Sequence, residues 1–340
     1  MTAMRFYVRP STAVVPILVL AALFAAAMNL VGCQNADPAA RRQAAINTYA
    51  HAVVLYQNGD SDQAIAALQD SVKQHHDLIM PHAMLGDLYQ ARQDYTDALA
   101  EFQEVVRLDP YGYENHYKLG LVYQILKRLP DAIASYFAAL HLNADDFNTN
   151  MNLGAAFLAM GKSETALPYT QRATELNAKS APAFANLGVV CDSLKMWKDA
   201  ETAYRKALEL DSNQMQTAFC LAENLMHQGH YADARGVMGQ IVLREDSAVA
   251  RKRFGDAMFM SQQYDDARLQ YENALKLDPK YYPAMNQEGW LLITQYIQGL
   301  GLDDARRQAA IQLWKRSLQI EPDQSRIIEL VHKYEQKFAN

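Results

Sequence analysis

Apolar residues in this chain recur at helical spacing in short runs, and the runs themselves recur. From Ala45 onward a small residue stands at Ala52, Gly86, Gly120, Gly154, Gly188 and Ala222, each 34 residues after the last. Twelve residues after each comes an alanine: Ala64, Ala98, Ala132, Ala166, Ala200 and Ala234. The pattern continues one residue early at Gly255 and Ala267, and in an eighth unit at Gly289 and Ala310, where nine extra residues separate the markers. Between markers lie large apolar side chains such as Leu85, Tyr89, Tyr95 and Phe102, or Leu187, Cys191, Trp197 and Tyr204. This spacing predicts two helices of about a dozen residues per unit, each with one apolar stripe. Small marker residues let the two helices approach closely where they cross. One pair cannot bury both stripes, so pairs must stack on one another.

The units run over 45–78, 79–112, 113–146, 147–180, 181–214, 215–247, 248–281 and 282–322. Most close on Asp109-Pro110, Asn143-Ala144, Asn177-Ala178, Asp211-Ser212, Asp278-Pro279 or Glu321-Pro322, which predict a turn and a helix N-cap. Pro168 falls early in a second helix and is expected to bend it. The insertion around Trp290–Arg307 predicts a longer first helix and a looser turn, or alternatively a lip that contacts a partner or a second copy. Residues 323–340 read as a solvated capping helix.

This register resembles the tetratricopeptide repeat family over Ala45–Pro322. The resemblance implies an all-α fold: an α-solenoid winding as a right-handed superhelix of about eight repeats plus a capping helix. It also implies a concave groove lined by the first helices. With the core at unit positions 4, 7, 8 and 11, helical geometry turns positions 2, 6, 9 and 13 away from it. That face carries Met80, Met84, Asp87, Glu114 and Lys118, then Asn148, Asn152, Asn186, Val189, Glu223, Arg253 and Met260. Tyr49, Tyr117, Phe219 and Lys252 flank it. Asn152 and Asn186 occupy one offset in adjacent units, similar to the asparagine ladder of the O-GlcNAc transferase superhelix, whose amides grip an extended polypeptide. Phe219, Met260 and Trp290 are candidate apolar anchors; Arg251-Lys252-Arg253 reads first as solvated charge and alternatively as a carboxylate site.

The N-terminus points to export. Arg5 and Arg9 precede an apolar run from Ala13 to Leu30 that ends in Leu30-Val31-Gly32-Cys33. A basic head and apolar run read as a signal peptide over 1–32. The ending resembles a bacterial lipobox, which implies cleavage before Cys33 and a lipid (palmitate among its acyl chains) on its thiol. An uncleaved membrane helix is the alternative. Gln34 after the cysteine points toward the outer membrane rather than the inner, and residues 33–44 read as a short tether that keeps the folded part at the membrane, facing the periplasm.

Charge and chemistry narrow the picture further. The formal charge is −6, and beyond residue 32 there are 30 basic against 38 acidic side chains, which gives no electrostatic reason to expect nucleic acid. Cys33, Cys191 and Cys220 are too few for a disulfide framework, and the latter two are expected to be free thiols. Ala156–Ser163 matches the loose form of a phosphate-binding loop, but sits where a repeat helix ends. His75, His76, Asp77 and His82 cluster without zinc-ligand spacing and read as solvated loop residues. No Ser/His/Asp or Cys/His arrangement stands out, so no enzyme, metal, small-molecule substrate or cofactor beyond the lipid on Cys33 is expected. The expected function is a membrane-anchored adaptor that binds other envelope proteins or peptides. By architecture it resembles outer-membrane lipoproteins that assist pilus or secretin assembly or dock cell-wall hydrolases. The alternative is a self-associating (homo-oligomeric) structural component of such an assembly.

Overall fold

The computed structural model describes residues 37–336, and among them there are seventeen α-helices and no strand. The chain divides into two compact units at Leu142 and Asn143. The first contains α1 (Pro38–Gln57), α2 (Ser61–Gln74), α3 (Ile79–Ala91), α4 (Tyr95–Leu108), α5 (Tyr113–Ile125) and α6 (Leu129–Leu142). The second contains α7 (Phe147–Ala159), α8 (Ser163–Leu176), α9 (Ala181–Ser193), α10 (Trp197–Leu210), α11 (Met215–His227) and α12 (Tyr231–Arg244). It continues with α13 (Ala248–Met260), α14 (Tyr264–Leu277), α15 (Tyr282–Gln298), α16 (Asp304–Ile320) and α17 (Ser325–Gln336). Within each unit every helix packs on the next in the chain.

The recurring small residue has a steric cause. Sixteen residues after each marker, the second helix of the pair points a side chain at it. Where that side chain is a ring the marker is glycine: Gly86 under Phe102, Gly120 under Tyr136, Gly188 under Tyr204 and Gly255 under Tyr271. A Cβ on Gly255 would lie 2.6 Å from the Tyr271 ring, closer than atoms can pack. Where the opposed position is Leu68 or Met238, the marker is Ala52 or Ala222. In the eighth unit Gly289 lies under Trp314, so the pairing survives the insertion. In the fourth unit Gly154 instead lies under Thr170, so the glycine is matched to a ring in five units and to a small β-branched side chain in this one, in each case because a Cβ would meet the facing side chain.

The turns differ in part from expectation. Asp109, Asn177, Asp211 and Asp278 are not N-caps; they follow the second helix and accept a hydrogen bond from the N–H two residues on, at 2.9–3.2 Å. These are Asx turns, which suit a short side chain just past a helix end. In the fourth, fifth and seventh units the first helix is N-capped by Asp146, Ser180 and Ser247, which accept from Thr149, Ala183 and Ala250 N–H. The tether also needs correcting, since α1 begins at Pro38. Asp37 accepts from Ala39 N–H at 3.1 Å, and proline in the first helical turn sacrifices no bond. Residues 38–44 are thus helix. The signal peptide, Cys33 and residues 34–36 lie outside the described residues.

In the eighth unit the nine extra residues are shared out. Relative to the pair α13 and α14, α15 gains four, α16 three and the connecting turn two. The capping helix α17 buries Ile327, Leu330, Val331 and Tyr334 against Ile311 and Trp314, and leaves Arg326, Glu329, His332 and Lys333 in solvent.

Candidate partner-binding surfaces

In the first unit, the faces of α1, α3 and α5 that point away from their second helices enclose a cavity of about 550 Å³. Tyr49 and Tyr56 from α1, Met80, Met84 and Asp87 from α3, and Glu114 and Lys118 from α5 line it, with Phe102 of α4 in its floor. Met80 is 60% exposed and Tyr56 49%. Lys118 Nζ donates to both carboxylate oxygens of Asp87, at 2.7 and 2.8 Å, and sits 5.7 Å from the Phe102 ring. The ion pair bridges two neighbouring first helices and sets a polar fixed point in a wall that is otherwise mostly apolar. Asp109 and Glu114 leave the rim acidic. Tyr117, half-buried with its ring 6.2 Å from that of Tyr136, lines an adjoining hollow with Gln90 and Leu121.

The second unit presents a different first-helix face. Asn148 is exposed on α7; Asn152 on α7 and Asn186 and Val189 on α9 are half-buried. Helices α7 and α9 contact each other directly, so the two ladder asparagines lie on neighbouring helices. Among the described residues the Asn186 side chain accepts and donates no hydrogen bond. On α11, Phe219 is half-buried under the Arg253 guanidinium of α13 at 4.7 Å, and Arg253 also pairs with Glu223 at 2.9 Å. Met260, at the end of α13, is 46% exposed.

Three sequence expectations change here. The basic run on α13 is not open to a carboxylate, because each charge has a partner: Arg251 with Asp246 (2.7 Å), Lys252 with Asp256 (2.7 Å) and Arg253 with Glu223. Trp290 is no open anchor. It stands edge-on to Trp314, 6.0 Å away, under the Arg326 guanidinium at 5.2 Å, and so belongs to the terminal core. His82 is not a solvated loop residue but a buried one on α3. Its Nδ1 lies 2.6 Å from Glu101 and its Nε2 2.9 Å from the His76 carbonyl. Burial opposes its charge, yet the Glu101 carboxylate and the His76 carbonyl raise its pKa above the usual value. At the equivalent place His116 bonds the Pro110 carbonyl and Asn150 the Ala144 carbonyl, so the position clamps the preceding turn.

The remaining chemistry is spare. The phosphate-loop match joins helix α7 to helix α8 through left-handed Gly161, so no strand leads into it. Cys191 and Cys220 are thiols; burial pushes Cys191 up to about 11 and also raises Cys220. Among the described residues no three His, Cys, Asp or Glu side chains gather where they could hold a metal ion, and no helix is long and apolar enough to cross a membrane.

Two stretches match family models of the tetratricopeptide repeat, residues 83–147 and 181–214. No curated protein matches the chain. Among solved structures, a tetratricopeptide repeat protein from Parabacteroides merdae is similar at 17% identity, covering 76% of this chain and 98% of its own, with a TM-score of 0.55. PilF of Pseudomonas aeruginosa is similar at 21% identity, covering 61% and 94%, with a TM-score of 0.51. PilW, described as a widely conserved type IV pilus biogenesis factor, is similar at 18% identity, covering 59% and 93%, with a TM-score of 0.50. With its 34-residue register and ring-on-glycine helix pairs, this chain folds as an α-solenoid of tetratricopeptide repeats.

Proposed function

We propose that the chain is a protein–protein interaction scaffold, held to a bacterial envelope membrane by a lipid on Cys33, and that the first unit's cavity receives an extended or helical segment of another envelope protein. The observation that carries this reading is the cavity itself: about 550 Å³ of largely apolar, open-sided space built by three successive first helices. Methionine side chains such as Met80 and Met84 adapt to differently shaped apolar residues, and a helix laid in such a groove offers anchors three and four residues apart. The acidic rim of Asp109 and Glu114 favours a segment that carries basic residues beside its apolar face. The lipobox-like ending at Cys33 and the shared fold of PilF and PilW support the envelope setting. Site-specific photocrosslinking tests the groove. A crosslinker at Met80 is expected to capture a partner polypeptide in envelopes, and one at exposed Asp70 on α2 is not. Equal capture at both positions, or none at Met80, rejects the cavity as the binding site.

A further inference from the structure

The turns joining the two helices of each pair follow one rule until the last. Their left-handed residue is glycine or polar in seven cases: Gly59, Gln93, Lys127, Gly161, Lys195, Gly229 and Gln262. In the eighth it is Leu300, at φ 57°, followed by Gly301 at φ 77°. A leucine there strains the backbone where glycine would not, and it buries nothing in return. Leu300 is 86% exposed, Leu302 85% and Ile297 56%, so three aliphatic side chains stand together in solvent at one tip.

The tip is built, not loose. The N–H groups of Gly299, Leu300, Gly301 and Leu302 donate to the carbonyls of Gln295, Ile297, Tyr296 and Gly299, at 2.9–3.2 Å. Gly301 rests on buried Tyr296, and Gln298 Nε2 donates to the Tyr264 hydroxyl at 3.0 Å. The charges that follow are closed in pairs, Asp303 with Arg306 at 3.0 Å and Asp304 with Arg307 at 2.6 Å.

We propose that this tip inserts into the surface of a lipid bilayer. Three of its exposed side chains are aliphatic, exposed Gln298 is held by the Tyr264 hydroxyl, its four backbone donors are already bonded within the chain, and its flanking charges cancel locally. Backbone donors without internal partners are costly in hydrocarbon, so bonding these four within the chain removes that part of the cost of lipid contact. Area points the same way. Three side chains make a patch of at most a few hundred Å², against about 800 Å² per partner in a stable protein interface. The inference is independent of the groove. It gives the eighth unit a membrane contact of its own, in addition to any attachment at the N-terminus.

The test uses the full chain reconstituted at high lipid-to-protein ratio in phosphatidylcholine vesicles, with Leu302→Trp as reporter and the native tryptophan signal subtracted. Insertion predicts blue-shifted emission from the new tryptophan and quenching by phosphatidylcholine brominated in its acyl chains. Adding Leu300→Gln is expected to lower the inserted-to-free ratio by at least about tenfold, the cost of withholding one leucine from an apolar medium. Ile297→Trp serves as a second reporter. Emission that stays open to aqueous acrylamide and blind to brominated lipid at both reporters overturns the proposal. A blue shift that fades as the same protein is spread over more vesicles identifies a second copy as the occupant, and overturns it too.

Discussion

The ring-on-glycine pairing makes a quantitative claim that a double-mutant cycle at Gly255 and Tyr271 can break. Gly255→Ala places a Cβ 2.6 Å from a ring that is fully buried and cannot swing away. Overpacking of that kind costs about 1–3 kcal/mol, whereas alanine for glycine inside a helix returns about 0.5–1 kcal/mol. The net expectation is a loss of about 1–2 kcal/mol. The chain contains the alternative solution one unit earlier, where Ala222 faces buried Met238. In a Tyr271→Met background the same Gly255→Ala change meets no ring and is expected to stabilise by about 0.5–1 kcal/mol. Tyr271→Met removes a hydroxyl that bonds Asp256, but Asp256 keeps Lys252 at 2.7 Å, so no buried charge is stranded. The coupling energy should therefore be about 2 kcal/mol in favour of the double variant. Urea unfolding of all four chains, followed by far-ultraviolet circular dichroism, measures it. Gly236→Ala on α12 is the control: nothing lies within 4 Å of its added Cβ, so it should stabilise in either background. Coupling below about 0.5 kcal/mol, within the scatter of independent sites, would show that the close approach does not set the marker residue.

Other expectations follow from individual groups. Burial, with a further contribution from Glu272, pushes buried Glu288 on α15 up to about 7, while Arg268 at 3.8 Å opposes the shift. The folded chain then holds this proton to higher pH than the unfolded one, so its contribution to stability falls as pH rises between about 4.5 and 7, by up to about 3 kcal/mol. Glu288→Gln should flatten that slope in urea midpoints measured at about pH 5 and about pH 8, and an unchanged slope refutes the assignment. If Cys33 is acylated, metabolic labelling with palmitate marks the natural chain and not Cys33→Ser; equal labelling of both removes the lipid anchor. Asn152→Ala with Asn186→Ala should lower capture of an extended partner segment by roughly thirtyfold, at about 1 kcal/mol for each of two backbone bonds lost, without changing the circular dichroism spectrum. Undiminished capture removes the ladder.

How much of this was legible depended on whether the determining contact repeats. Most marker glycines were readable because a ring sixteen residues later imposes them (Gly154, under Thr170, is the exception), and the insertion could be located because it shifts that one distance. The start of α1 was not readable, since it hangs on a single cap, Asp37, that no other unit shares. The polar side of the candidate surfaces failed for a different reason. Charges on a first helix look solvated when that helix is read alone, but the partners lie one unit away. Asp87 meets Lys118 31 residues on, and Glu223 meets Arg253 30 residues on. The same step joins Asp62 to Arg92 and Asp77 to Arg107. In a stack of helix pairs, a residue's neighbour on the next unit lies one 34-residue repeat on, less about one helical turn. Opposite charges 30 or 31 apart are therefore a sequence signal for inter-unit ion pairs, visible once the repeat length is known. Applied here, that rule removes Arg253 from the free cations of the second unit and Lys118 from those of the first, whose cavity is left with methionine, tyrosine and the acidic Asp109 and Glu114. That is why the first unit's cavity, and not the basic run on α13, is the better place to look for a partner.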